Sequence, residues 1–234
     1  MCTLSYIPKE EKYILTSNRD EHDSRALTAF PVKKSIEGQE VFFPQDPKAG
    51  GTWLATSNKN KTAVLLNGAF EAHPYHPPYG LSRGILLLDS YRFKNMPEFM
   101  ENYDFQGIEP FTLLHFNTKG EQNIDELRWD GERLYHKTLS ASKAHIWSST
   151  MLYPPEVRKQ REEWFNELLR SDPDSDEMSH FHHFGGYSDE ENKLKMDRGN
   201  GLRTISISQI IIKKNETSFL YQNLVTEKDQ KIFI

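Results

Sequence analysis

The sequence predicts an α+β protein: two mainly antiparallel sheets with helices lying outside them. Three observations carry that expectation. Hairpin patterns open the chain, a long hairpin closes it, and helical and strand-like periodicities alternate between. Strands, helices, strands and helices in that order suit a two-sheet sandwich with outer helices, because each element must bury one face against another layer. The chain has 234 residues without a Gly/Ser linker, low-complexity run or repeat, so one domain over 1–234 is expected.

Each element has a local reason. Thr3 to Ile7 and Tyr13 to Thr16 are apolar, β-prone stretches separated by Pro8-Lys9-Glu10-Glu11, which reads as a turn. Thr52 to Ser57 and Thr62 to Asn67 flank the polar turn Asn58-Lys59-Asn60-Lys61 and form a second hairpin. Ser82 is placed to cap a helix running through Leu86, Leu87, Leu88 and Tyr91, and a shorter helix follows near Pro97 to Tyr103. Phe111 to Phe116, Ile124 to Trp129 and Arg133 to Thr138 read as a meander with turns at Lys119-Gly120 and Asp130-Gly131. His145 to Ser148 is a short strand. Pro154-Pro155 opens a helix with Val157, Trp164, Phe165, Leu168 and Leu169 on one face; Arg158, Arg161 and Glu162 are expected on the solvated one. The chain ends in a hairpin, Arg203 to Ile212 with Ser218 to Leu224, turning at Lys213-Lys214-Asn215-Glu216. Gly50-Gly51 is not a phosphate-cradling pattern; a close backbone approach beside a buried Trp53 is its expected role.

Composition narrows the function classes. A net charge of −5 disfavours nucleic acid as a partner. No apolar run is long enough to span a bilayer and no signal-peptide pattern follows Met1. With one cysteine there is no internal disulfide, and a cytoplasmic location without integral membrane association is expected.

That single cysteine is Cys2. Aminopeptidases remove the initiator Met1 when the second residue is small, which would leave a residue carrying both a thiol and a free α-amine. Their ordinary pKa values, ~8.5 and ~7.7–8.0, permit proton exchange near neutral pH, and an N-terminal nucleophile served by an amine is a route to covalent catalysis. The tetrad Asn18-Arg19-Asp20-Glu21 follows the second strand. The first hairpin returns that strand's end beside the start of the first, so Arg19 and Asp20 are expected near Cys2. A carboxylate there holds an ammonium, and a guanidinium favours a thiolate.

Met1-Cys2 with Asn18-Arg19-Asp20-Glu21 resembles the start of the NRDE family, whose eukaryotic branch is the Transport and Golgi Organisation protein 2 family. Gly50-Gly51-Thr52-Trp53-Leu54-Ala55, Ala63 to Asn67, Ser82-Arg83-Gly84 and Leu202-Arg203-Thr204-Ile205-Ser206 extend the resemblance. The family is similar to the Ntn hydrolases, particularly Cys-initiated bile-salt and penicillin V acylases. The resemblance implies a four-layer α-β-β-α sandwich and a catalytic set of Cys2, Arg19, Asp20, Asn67 and Arg203. Asn18, Trp53, His73 and Ser149 are candidates for substrate binding. Ser149 departs from the pattern, since the family usually has Asn after the strand that here reads Ile146-Trp147-Ser148.

Two readings of function stay open. One is an amidohydrolase cleaving non-peptide C–N bonds of a small amide or acyl substrate through Cys2, without cofactor or metal. The other is a haem- or lipid-handling protein that keeps the fold without the reaction. In that case His180, His182 and His183 would contact haem; otherwise they sit in a loop or helix end with Phe181 and Phe184 packed inward. His73 and His76 lie in a stiff Pro- and Tyr-rich loop, a candidate pocket rim or plain surface.

Overall fold

The computed structural model describes residues 3–25, 30–74, 76–118 and 122–234. The strands in chain order are β1 (Thr3–Lys9), β2 (Lys12–His22), β3 (Val32–Ile36), β4 (Gln39–Phe43), β5 (Leu54–Ser57) and β6 (Lys61–Asn67), then β7 (Phe111–Asn117), β8 (Asn123–Trp129), β9 (Leu134–Ser140) and β10 (His145–Ser148). The last three are β11 (Leu202–Lys213), β12 (Thr217–Asn223) and β13 (Lys228–Phe233). The helices are α1 (Arg83–Asp89), α2 (Met96–Asn102), α3 (Pro155–Leu168) and α4 (Ser175–Phe184). The architecture is α+β, with two antiparallel sheets, and the chain divides into two compact units: Met1–Arg25 with Lys143–Ile234, and Ala26–Ser142. Among the described residues no helix is long and apolar enough to cross a membrane.

The first unit holds a six-stranded sheet in the order β10-β1-β2-β11-β12-β13. Successive residues of β1 point to opposite faces, and Thr3, Ser5 and Ile7 face the helices. Ile7 joins Ile14, Phe165, Met178, Phe181 and Leu194 in an apolar cluster beneath α3 and α4. Toward Thr3 the same face turns polar: Thr3 and Ser5 are met by side chains of α3 and α4. The β2–β11 register also breaks at that end, with Thr204 opposite Asp20 but Ser206 opposite Arg19. Bulges of this kind re-aim side chains.

The second unit holds a seven-stranded sheet, β3-β4-β5-β6-β7-β8-β9. Leu86, Leu87 and Tyr91 after the Ser82 cap pack with Phe99, Phe111 and Leu113, and Ser82 Oγ accepts from Gly84 N–H. The glycine reading holds in detail. A Cβ on Gly51 would sit 2.4 Å from the Gly84 carbonyl carbon, Thr52 N–H donates to Gly84 O at 3.2 Å, and Trp53 is buried.

The structure differs from the sequence reading in several places. Strands β3, β4 and β13 were not expected, and the Lys119-Gly120 turn lies outside the described residues. The acidic segment opens a ten-residue helix, α4, through a capping box in which Asp174 and Glu177 exchange bonds with each other's backbone. Phe181 packs inward, but Phe184 is exposed. Arg161, expected on the solvated face of α3, is fully buried: it follows Val157 and precedes Phe165 by four residues each, the spacing of one helix face.

Candidate active site

The polar end of the first sheet is organised around Asp20. Tyr153 Oη donates to Asp20 Oδ2 at 2.5 Å and Thr204 Oγ1 donates to Asp20 Oδ1 at 2.5 Å. Thr204 Oγ1 also accepts from Met196 N–H at 3.0 Å, which directs its one proton toward the carboxylate. Tyr153 is buried against the Arg161 guanidinium, whose carbon lies 3.6 Å from the ring centroid. Arg161 in turn donates to Thr3 Oγ1 at 2.5 Å, to Asn192 O from Nε and Nη2, and to Lys193 O. One chain of contacts therefore runs from α3 to the first residue of β1 and to Asp20.

Ser149 explains how Tyr153 arrives there. It is buried just past β10, whose Ser148 pairs with Thr3, and its carbonyl accepts from Tyr153 N–H at 3.1 Å. Its backbone thus shapes the turn that delivers Tyr153 to Asp20.

Arg19 and Asp20 are adjacent on a strand and so project to opposite faces. Arg19 is buried and lies 3.6 Å from Glu21. Arg203 pairs with Glu21 across β11, and its Nε is buried with no hydrogen-bond partner among the described residues, as is Ser206 Oγ. Cys2 lies outside the described residues. Thr3, next in the chain, pairs with Asn18, so the register leads to Arg19 and Asp20.

Asn18 serves the fold directly. Its Nδ2 donates to His182 O at 3.0 Å and Leu194 O at 2.8 Å, and its Oδ1 faces His182 Nδ1 at 2.7 Å. With both amide protons committed, Nδ1 carries the imidazole proton, and His182 Nε2 accepts from Ser5 Oγ at 2.7 Å. Trp53, Asn67 and His73 belong to the second unit. Asn67 ends β6 opposite Phe111, and His73 Nδ1 lies 2.9 Å from Pro74 O, its Nε2 3.9 Å from Glu109.

The three clustered histidines do not converge. His182 is buried inward, His183 reaches Gln222 on β12, and exposed His180 packs on Phe184. Among the described residues no group of three or more His, Cys, Asp or Glu is placed to hold a metal. Burial, then the charges of Arg161 and His183, push His182 down to about 3; burial and Lys61 push His115 down to about 4. Unfolding frees both to titrate near ~6.5. Below that pH the unfolded chain binds protons that the native chain refuses, so stability present above ~6.5 is lost as pH falls toward the native values. Each histidine steepens the loss by up to about 1.4 kcal/mol per pH unit. Urea midpoints between about pH 6 and about pH 4 should therefore fall less steeply in a His182→Gln chain; an equal slope would contradict the assignment.

The model of the family Transport and Golgi organisation 2 matches residues 1–229. The chain belongs to that family. No curated protein matches it by sequence. Among solved structures, this chain is similar to a mutant of the conjugated bile acid hydrolase from Clostridium perfringens, with a TM-score of 0.63 at 10% identity over 99% of this chain and 92% of that one. It is also similar to penicillin V acylase from Agrobacterium tumefaciens (TM-score 0.53, 13% identity, 99% and 86% covered). A third match is the N-acylethanolamine-hydrolyzing acid amidase ortholog of Caenorhabditis elegans (TM-score 0.52, 12% identity, 89% and 92% covered). At these identities the likeness shows the fold, that of the Ntn-hydrolase acylases.

Proposed function

We propose that the protein is an N-terminal-nucleophile amidohydrolase acting on small non-peptide amides. After removal of Met1, the Cys2 thiolate attacks the amide carbonyl carbon and the C–N bond breaks. The leaving amine takes its proton from the α-ammonium, directly or through a water. Water, deprotonated by the same amine, then hydrolyses the thioester, releasing the acid and restoring the thiol.

The observation that supports this reading is the Asp20 carboxylate, buried and held by two hydroxyls at the sheet end to which the β1–β2 register leads. A carboxylate so fixed suits an α-ammonium. Arg19 favours the thiolate in this reading. Arg203, its Nε buried and without a hydrogen-bond partner among the described residues, supplies a donor for a polar substrate group.

The test is to incubate the Met1-free chain with a panel of N-acyl amides and measure intact and peptide masses. An acyl adduct on the N-terminal peptide, released by hydroxylamine, is the expected result. No adduct across the panel, or an equal adduct on a chain retaining Met1, would sink the mechanism.

A further inference from the structure

We propose that Tyr153 and Thr204 are positioning residues that set the orientation of the Asp20 carboxylate, with Arg161 fixing the Tyr153 ring, and that this orientation holds the Cys2 α-amine. The inference rests on the amidohydrolase reading above. It adds residues that neither the Asn18-Arg19-Asp20-Glu21 tetrad nor the fold assigns.

A carboxylate on a strand end rotates about its Cα–Cβ and Cβ–Cγ bonds unless something stops it. Here one hydroxyl takes each oxygen, from opposite sides in sequence: Tyr153 from the turn after β10 and Thr204 from β11. Two donors to two different oxygens fix the carboxylate plane, whereas one would leave it a hinge. Hydrogen bonds to a carboxylate are also stronger than those between neutral groups.

Neither hydroxyl is an idle surface group. Both residues are buried, and Thr204 is keyed by the Met196 N–H. The Tyr153 ring meets two cations, Arg161 at 3.6 Å and Arg198 at 5.8 Å, and Arg198 Nη2 also donates to Leu152 O. Arg161 ties the assembly to Thr3, so carboxylate and strand start are held to one scaffold. The charged and titratable groups around this end include Arg19 and Glu21 on β2, Arg203 on β11 with Asp197 bridged to it, Arg198 beside the Tyr153 ring, Arg161 on α3 and the neutral His182 on α4.

The experiment needs no substrate. Alkylation of Cys2 by iodoacetamide is followed by the mass of the N-terminal peptide across pH, in the Met1-free full chain and in its Tyr153→Phe and Thr204→Val variants. A carboxylate free to swing releases the ammonium, and the thiolate–ammonium pair loses stability. The profile midpoint should therefore move up by about half a pH unit or more, which is about a threefold slower reaction at a fixed pH below it. Tyr91→Phe, which removes a buried hydroxyl bonded to Ala55 O in the other unit, should leave the profile unmoved. Each variant's folding is checked by circular dichroism, and either one alone decides the matter. A midpoint unchanged or lowered in a folded variant overturns the positioning role. A wild-type chain that keeps Met1 overturns it too, and is distinguished by failing before any variant is made.

Discussion

Replacing Cys2 by Ala should abolish amide turnover while leaving the fold intact, and retention of Met1 should do the same. The two losses test different halves of one mechanism. Ala removes the attacking sulfur but keeps a free α-amine, so any residual hydrolysis would have to come from another nucleophile. Retained Met1 keeps the sulfur but turns the amine into a peptide N–H, which is no base near neutral pH. Removing a nucleophile that acts as a unit with its base is expected to reduce kcat roughly 10⁴-fold or more. A residual rate within about tenfold of wild type would end the assignment of Cys2 as nucleophile in the Ala form, and of the amine as base in the form that keeps Met1. Circular dichroism and the urea midpoint of each form separate a catalytic loss from a loss of fold. The Met1-retaining form is obtained by expression with the aminopeptidase inhibited, and the comparison is made on a substrate that acylates the wild type.

The sequence made the strand framework readable wherever apolar alternation was strong. β1, β2, β5 to β8, β11 and β12 are flanked by polar turns, and the side-chain period gives them away. β3 and β13 were missed for a physical reason: Val32-Lys33-Lys34-Ser35-Ile36 and Lys228-Asp229-Gln230-Lys231-Ile232-Phe233 are charged edge strands, which is how sheets protect an open edge. α4 was legible but overlooked, since Asp174 and Glu177 have the spacing of a capping box.

At the candidate site the division is sharper. Asp20 and Arg19 stand out as a motif, but Tyr153, Thr204 and His182 reach their partners only through long-range pairing, across 133, 184 and 164 residues of chain. No local pattern encodes such a meeting. Asn18 shows the converse: the motif marks it, yet its amide is committed to tying α4 and Leu194 to β2. Arg161 was readable and misread. Its four-residue spacing from Val157 and Phe165 already put it on the buried stripe, and its charge argued it off.

That misread residue carries the second large effect. Arg161→Met should destabilise the chain by about 3–5 kcal/mol at neutral pH, measured as a shift in urea midpoint at constant slope. Two contributions oppose each other. Methionine relieves the desolvation of a buried guanidinium, which makes no ion pair among the described residues and is balanced by dipoles and by the Tyr153 ring. Against that, buried Thr3 Oγ1 and the partly buried Asn192 and Lys193 carbonyls lose their donors, at about 1–3 kcal/mol for each group left unsatisfied. Three such losses outweigh the relief. Arg161→Lys separates the alternatives: it keeps the charge, but a single ammonium cannot span the same acceptors with a planar fork. If charge alone mattered, Lys would restore most of the stability; if the fork matters, it restores little, and the latter is expected. A loss under about 1 kcal/mol for Met would show that the carbonyls find other partners. The pH response gives an independent check. Arg161 is among the charges that hold His182 below its ordinary value, so the Met chain should start less stable at neutral pH yet lose stability less steeply on acidification.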